Sequence, residues 1–388
     1  MPEGISRGRR VYIDWARGLA VLLMIEAHTG DAWTRAADRH SAGFSRVIML
    51  GGFAAPLFLW LAGIALALSA ARLARTGANR RSVVGTICRR GLEIFILAFL
   101  FRLQAFIITP GSSPVTMFRV DILNVMGPAI IAAGLVWAAA ASARTLVLWY
   151  AAVTAAIALL TPIVRTAAIV DVLPLWFQWY LKPFGDLTAF TLFPWAGFVF
   201  AGAACGVILA TTHDRPAERR AQMAFAAAGL VLVALGDVLS KRSSIYEQSG
   251  FWTSSPTWFA IRVGILMIAL AVLYAVSESG ALKAAAEKKG YDPFSSASRS
   301  LERFGRSSLF VYWIHVELVY GYATWPLHHR LPLWGTLLAC AAFSLLMYRA
   351  IIFRDRIVEK WRLRGVRTPW SNDLALRLNE KSVVNRSV

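Results

Sequence analysis

The length of its apolar blocks decides most about what this chain can fold into. They recur at close to twenty residues with short polar segments between them, and a helix of about 20 apolar residues crosses the hydrocarbon of a bilayer. Backbone polar groups find no water there, so only helices and closed barrels span a membrane, and these blocks are about twice the length of a barrel strand. Hydrophobic residues make up 57% of the 388 and charged residues 16%, which excludes a soluble globular class. The predicted fold class is all-α: a polytopic integral-membrane helical bundle of about ten transmembrane helices. The expected spans are 12–29, 47–71, 91–108, 120–141, 146–164, 188–210, 222–239, 257–278, 307–324 and 333–353. They form one domain, 1–353, followed by a basic tail, 354–388.

Charge orients the bundle. With the N-terminus inside, the inner segments carry 29 of the 41 Lys and Arg and the outer segments 9. The positive-inside rule then puts both termini in the cytoplasm. The same asymmetry accounts for the net charge of +19, so anionic lipid headgroups suffice as partners and no nucleic acid is required. Cys88, Cys205 and Cys340 sit in or beside apolar segments and imply no disulfide framework. The sequence has neither a G-x-x-x-x-G-K-[ST] phosphate loop nor a metal-ligand cluster, so neither ATP-driven work nor a metal is expected.

The first span is the most unusual. Val11 to Trp33 has an apolar middle, Gly18 to Ile25, with Asp14 and Arg17 at one end and Glu26 and His28 at the other. A charged group at the bilayer centre costs roughly 2.5–3.5 kcal/mol, so it needs a partner or a wet cavity. Asp14 and Arg17 are one turn apart and can pair. Arg17 and His28 are about 20° apart around a helix and about 16 Å apart along it, so they share a face at two depths.

This opening, D-x-x-R-G-L-A with an Arg and a His separated by ten residues, resembles the first span of two groups of membrane acyltransferases. One is the acyltransferase-3 family, which O-acylates bacterial surface sugars; the other is the heparan-α-glucosaminide N-acetyltransferase family. Gly51 to Ser69, GGFAAPLFLWLAGIALALS, resembles the second span of the heparan-type group, and Gly305 to His315, GRSSLFVYWIH, a late motif common to both. The resemblance implies acyl transfer from acyl-CoA, most simply acetyl-CoA, to an extracytoplasmic glycan or small sugar. It also implies a bacterial inner membrane, and it leaves room for a homo-oligomer. Arg17 is then expected to help hold acyl-CoA at the cytoplasmic end, with Arg72, Arg75, Arg80 and Arg81 of the following basic loop. Arg72-Leu-Ala-Arg75 matches an acyltransferase-3 R-x-x-R motif, although topology alone also demands a basic loop here.

Imidazole is the side chain suited to take a proton from a hydroxyl or amine near neutrality. The heparan-type group has an Asn where His28 falls and a His in the next loop, for which His40 is the counterpart; either His28 or His40 can be the base. Asp121 and Asn124, at i and i+3, either line an acceptor pocket or pair with Arg102. Arg262 either snorkels or faces inward to stabilise an oxyanion. His315, mid-span, needs a hydrogen-bond partner and is a pocket candidate alongside Asp14. The competing class is a proton-coupled transporter or flippase of a polar solute, in which these intramembrane charges form a relay; the sequence shows no matching pair of broken-helix halves. A relative that has lost catalysis and serves as a partner subunit is a third reading.

Overall fold

The computed structural model describes residues 10–108, 113–279 and 293–363, and every described segment longer than a turn is helical or connects helices. The basic leader before Arg10, residues 109–112, residues 280–292 of the charged inner segment and the tail beyond residue 363 lie outside the described residues. In chain order the helices are α1 (Val11–Trp33), α2 (Ala42–Gly51), α3 (Ala54–Arg75), α4 (Arg80–Ile108), α5 (Ile122–Ala139), α6 (Ala143–Thr166) and α7 (Leu175–Leu181). Then follow α8 (Leu192–Thr211), α9 (Arg215–Ser240), α10 (Pro256–Glu278), α11 (Pro293–Arg306), α12 (Ser308–Tyr320) and α13 (Leu333–Leu363).

Each expected span falls on one of these helices, the second on α2 and α3 together. Eight described helices are long and apolar enough to cross a membrane: the α2–α3 unit, α4, α5, α6, α8, α9, α10 and α13. The protein is therefore an all-helical polytopic membrane protein. The other two expected spans differ for physical reasons. α1 is long enough at 23 residues but carries Asp14, Arg17, Glu26 and Asp31 besides His28, and α12 has only 13 residues. α13 runs unbroken past residue 353, the expected end of the last span, to Leu363.

The second span departs from regular helix upstream of Pro56. The helix is interrupted at Gly52 and Phe53, so Pro56 falls in the first turn of α3, where its missing N–H leaves no intrahelical bond unmade. Backbones elsewhere approach very closely. A side chain at Gly63 of α3 would overlap the Val199 carbonyl of α8, and one at Gly202 of α8 would overlap the Trp60 carbonyl of α3. Between lipid-facing helices, small residues are what permit such packing.

α1 is central, touching α2, α3, α10, α11, α12 and α13. Its N-terminal half is crossed by α11, where Gly18 lies under the Leu301 carbonyl and Gly305 over that of Asp14. Its other end is tied down by the loop that follows: Thr34 bridges to Leu331, and Asp38 Oδ2 accepts the Leu333 N–H at 2.7 Å, at the start of α13. One helix thus holds Arg17 and His28 in a fixed relation to all the others.

Candidate active site

A cavity of about 2300 Å³ runs through the bundle between α1, α3, α4, α5, α11 and α12, and both Arg17 and His28 line it. Ordinary ligand pockets hold about 300–1,000 Å³, so this one has room for two substrates at once. Its wall changes character with depth.

At the arginine-rich end the wall carries Arg17, Arg72, Arg89, Arg90 and Arg306, with Glu93 the acid among them. Glu93 Oε1 and Oε2 pair with Arg89 at 3.1 Å and Arg90 at 3.3 Å, and Arg17 Nη1 lies 3.4 Å from Asp14 Oδ1. Asp14 is buried outside the wall, so the mouth itself has a cationic surplus. Arg75, Arg80 and Arg81 are not part of it. Arg75 donates to the Ala210 carbonyl at 3.3 Å and Arg80 to that of Ala140, with its guanidinium over the Trp137 ring, while Arg81 is exposed. Arg89, Arg90 and Arg306 take their place. Arg80 and Arg81 stand about half a turn around α4 from Arg89 and Arg90, which face the cavity, and a sequence read as a loop carries no such register. Arg306 reaches the mouth only because α11 folds across α1.

The middle of the cavity is apolar, walled by Met24, Phe58, Leu61, Leu66, Met126 and Ile130. The vestibule at the opposite end is polar again. Asp31, Arg102, Arg119, Asp121, Glu317 and Tyr320 line it around His28. Arg102 pairs with Asp121 Oδ2, Arg119 Nε lies 3.9 Å from its Oδ1, and the Tyr320 hydroxyl donates to Asp31 Oδ2 at 3.0 Å. Asp121 owes its position to helix capping: it is the N-cap of α5, and Asn124 Oδ1 accepts its backbone N–H at 2.9 Å. Asn124 is buried in this capping box and is not on the cavity wall.

Three further expected residues are placed differently. His40 is exposed on the loop between α1 and α2, off the wall. Arg262 is 7% exposed behind the cavity, donating to the Gly52 carbonyl, with its guanidinium 4.6 Å from the ring centroids of both Phe53 and Trp258. It braces the α2–α3 break from behind. His315 is fully buried on the far side of His28, and the two rings meet edge-on with centroids 5.1 Å apart. Glu26 is not on the cavity wall; its carboxylate lies against Gly51 of α2. Among the described residues no group of three or more His, Cys, Asp or Glu could hold a metal.

Fold and cavity together define a polytopic helical membrane protein with an internal site that joins a cationic mouth to an imidazole. The chain belongs to the family of heparan-alpha-glucosaminide N-acetyltransferase catalytic domains, which it matches over residues 9–239. It is thus a member of a family of membrane acyltransferases. Comparison with curated proteins gives no match. The matched region contains α1 to α9 almost whole; Arg262, Arg306, His315 and Tyr320 lie beyond it.

Proposed function

We propose that this protein moves an acyl group, most simply acetyl, from acyl-CoA bound at the arginine-rich, cytoplasmic mouth to a hydroxyl or amine of a sugar or glycan at the outer vestibule. The observation that carries this reading is that Arg17 and His28, about 16 Å apart along one helix, line the same cavity. Coenzyme A is long and carries phosphates at one end and the thioester at the other. The mouth arginines suit a diphosphate and a 3′-phosphate, which guanidinium groups bind through paired hydrogen bonds. The apolar middle suits the pantetheine arm, and the thioester then reaches the depth of His28.

The chemistry asked of the site is one proton in and one proton out. His28 takes the proton of the acceptor hydroxyl or amine as the acceptor's oxygen or nitrogen attacks the thioester carbonyl carbon. The carbon–sulfur bond then breaks, the electron pair leaves with the CoA sulfur, and the imidazolium returns the proton to that thiolate. A cavity with room for both substrates favours this direct transfer. Asp31, Asp121, Glu317 and Tyr320 supply acceptors for the hydroxyls of a sugar. In this reading the protein sits in a bacterial inner membrane and draws its donor from the cytosol.

The test is transfer of radiolabelled acetyl from acetyl-CoA to sugar hydroxyls and amines by the purified protein. His28→Ala is expected to lower turnover by about 10²–10⁴-fold with acetyl-CoA binding retained. Arg17→Ala and Arg72→Ala are expected to raise the donor KM in a salt-dependent way. A protein that binds no CoA yet carries a solute across proteoliposomes is a transporter, and the proposal is then wrong.

A further inference from the structure

We propose that His315 is the positioning residue for His28: the two imidazoles form a hydrogen-bonded pair in which His28 donates through Nδ1 and His315 accepts through Nε2. This rests on the reading of His28 as the base of the transfer reaction, and it deepens that reading.

The tautomer of His315 follows from its surroundings. Its Nδ1 lies 2.9 Å from the carbonyl oxygens of both Val311 and Tyr312, one turn back on α12. Carbonyls only accept, so Nδ1 carries the hydrogen, and in the neutral ring Nε2 is left with a lone pair. That Nε2 is buried and bonded to nothing among the described residues, and the Nδ1 of His28 is in the same condition. Buried polar atoms rarely stay unpaired, and here two such atoms belong to rings that meet edge-on, 5.1 Å between centroids with planes 65° apart. This approach lets facing nitrogens reach hydrogen-bonding distance. Each satisfies the other only if one donates and one accepts. His315 has a lone pair to offer, so His28 must donate from Nδ1.

The consequence falls on the other nitrogen of His28. With its hydrogen on Nδ1, the neutral ring keeps the lone pair of Nε2 free, and His28 is the member of the pair on the cavity wall. When Nε2 takes the acceptor's proton, the positive charge is shared with His315 through the Nδ1–H···Nε2 bond, the task a third group performs for a catalytic imidazole elsewhere. A second edge-on contact holds the ring from another side: Tyr320, at 5.5 Å between centroids, is fixed by its bond to Asp31. The other ionisable groups around the pair are Glu26 and Asp31 on α1, Tyr312 and Glu317 on α12, Cys340 on α13, and Arg102, Arg119 and Asp121 at the vestibule.

Two variants and one spectroscopic measurement test the pair. His315→Leu removes the acceptor; turnover is expected to fall about 10²-fold with acetyl-CoA binding unchanged. Loss of a group that stabilises the His28 cation makes His28 a weaker base, so the acid limb of the pH–rate profile moves to lower pH. His315→Gln puts an amide oxygen near the position of Nε2 and is expected to restore most of the rate and return the limb toward wild type. A His315→Leu protein with the wild-type limb, or one that loses CoA binding along with its rate, overturns the pair while leaving acyl transfer standing. The ¹⁵N shifts of the His28 ring in the wild-type protein need no catalysis: above neutrality they are expected to report a protonated Nδ1, the tautomer free imidazole side chains disfavour. A His28 protonated on Nε2 overturns the proposal whether or not acyl transfer is found, whereas a protonated Nδ1 without acyl transfer supports the pair and sinks only the reaction.

Discussion

Asp121 does three things at once: it caps α5, pairs with Arg102 and lies within 3.9 Å of Arg119, all at a side chain 12% exposed. Two guanidinium groups thus depend on one carboxylate, and Arg102 is itself only 17% exposed. Removing one partner of a buried pair costs about 3–5 kcal/mol because the other is left uncompensated. Asp121→Ala is therefore expected to destabilise the protein by about 3 kcal/mol in detergent, measured by thermal unfolding. Combining it with Arg102→Ala is expected to cost less than the two changes summed, since the stranded charge goes with its partner. The pairing of Asp121 with Arg102 could be anticipated from residue types. That Asp121 also faces the cavity while Asn124, on the same helical face, does not could not be: a capping box turns the Asn back onto the main chain.

At the scale of elements, the closest backbone contacts and a surface clasp make separate predictions. Gly202 of α8 lies against the Trp60 carbonyl, so Gly202→Val forces α3 and α8 apart, with an expected loss of about 3 kcal/mol. Gly85 of α4 has open space around it, and Gly85→Ala is expected to gain about 0.5–1 kcal/mol from helix propensity alone. Unfolding of the two variants side by side separates packing from propensity. Span two shows the same division between local and tertiary causes: its Gly and Pro residues announce a distortion, but the interruption is placed at Gly52 and Phe53, where Arg262 reaches in from α10.

The clasp between the loop after α1 and α13 is sensitive to acid. The Leu333 N–H holds the Asp38 carboxyl below its ordinary value of 3.8; burial opposes this, and the Arg35 guanidinium adds to the lowering through its hydrogen bond and its charge. A carboxyl depressed by folding contributes stability above its unfolded value and loses it as pH falls through the folded one. Protection of the Leu333 amide against hydrogen exchange is therefore expected to hold at neutral pH and to disappear below 3.8. Asp38→Ala should remove it at every pH.

For the whole molecule, the arrangement of charge and cavity predicts a sided reaction. In oriented proteoliposomes a membrane-impermeant acetyl-CoA should support transfer only from the face that carries the loop Thr76–Asn79, beside the mouth arginines, and the acceptor only from the opposite face. Transfer with both substrates on one face would mean that the cavity is not used as a passage. The eight long apolar helices were legible because the bilayer sets their length and hydropathy, which are local properties of the chain. The shared face of Arg17 and His28 was legible because one helix, with its fixed pitch, carries both. What lines the other walls was not. Which arginines turn inward, that Arg306 closes the mouth from α11, that Arg262 braces a break in the backbone and that His315 lies against His28 all depend on how helices distant in sequence cross. Helical periodicity fixes each residue's angle about its own axis, but the orientation of that axis against its neighbours comes only from close packing, such as that of Gly18 and Gly305 between α1 and α11.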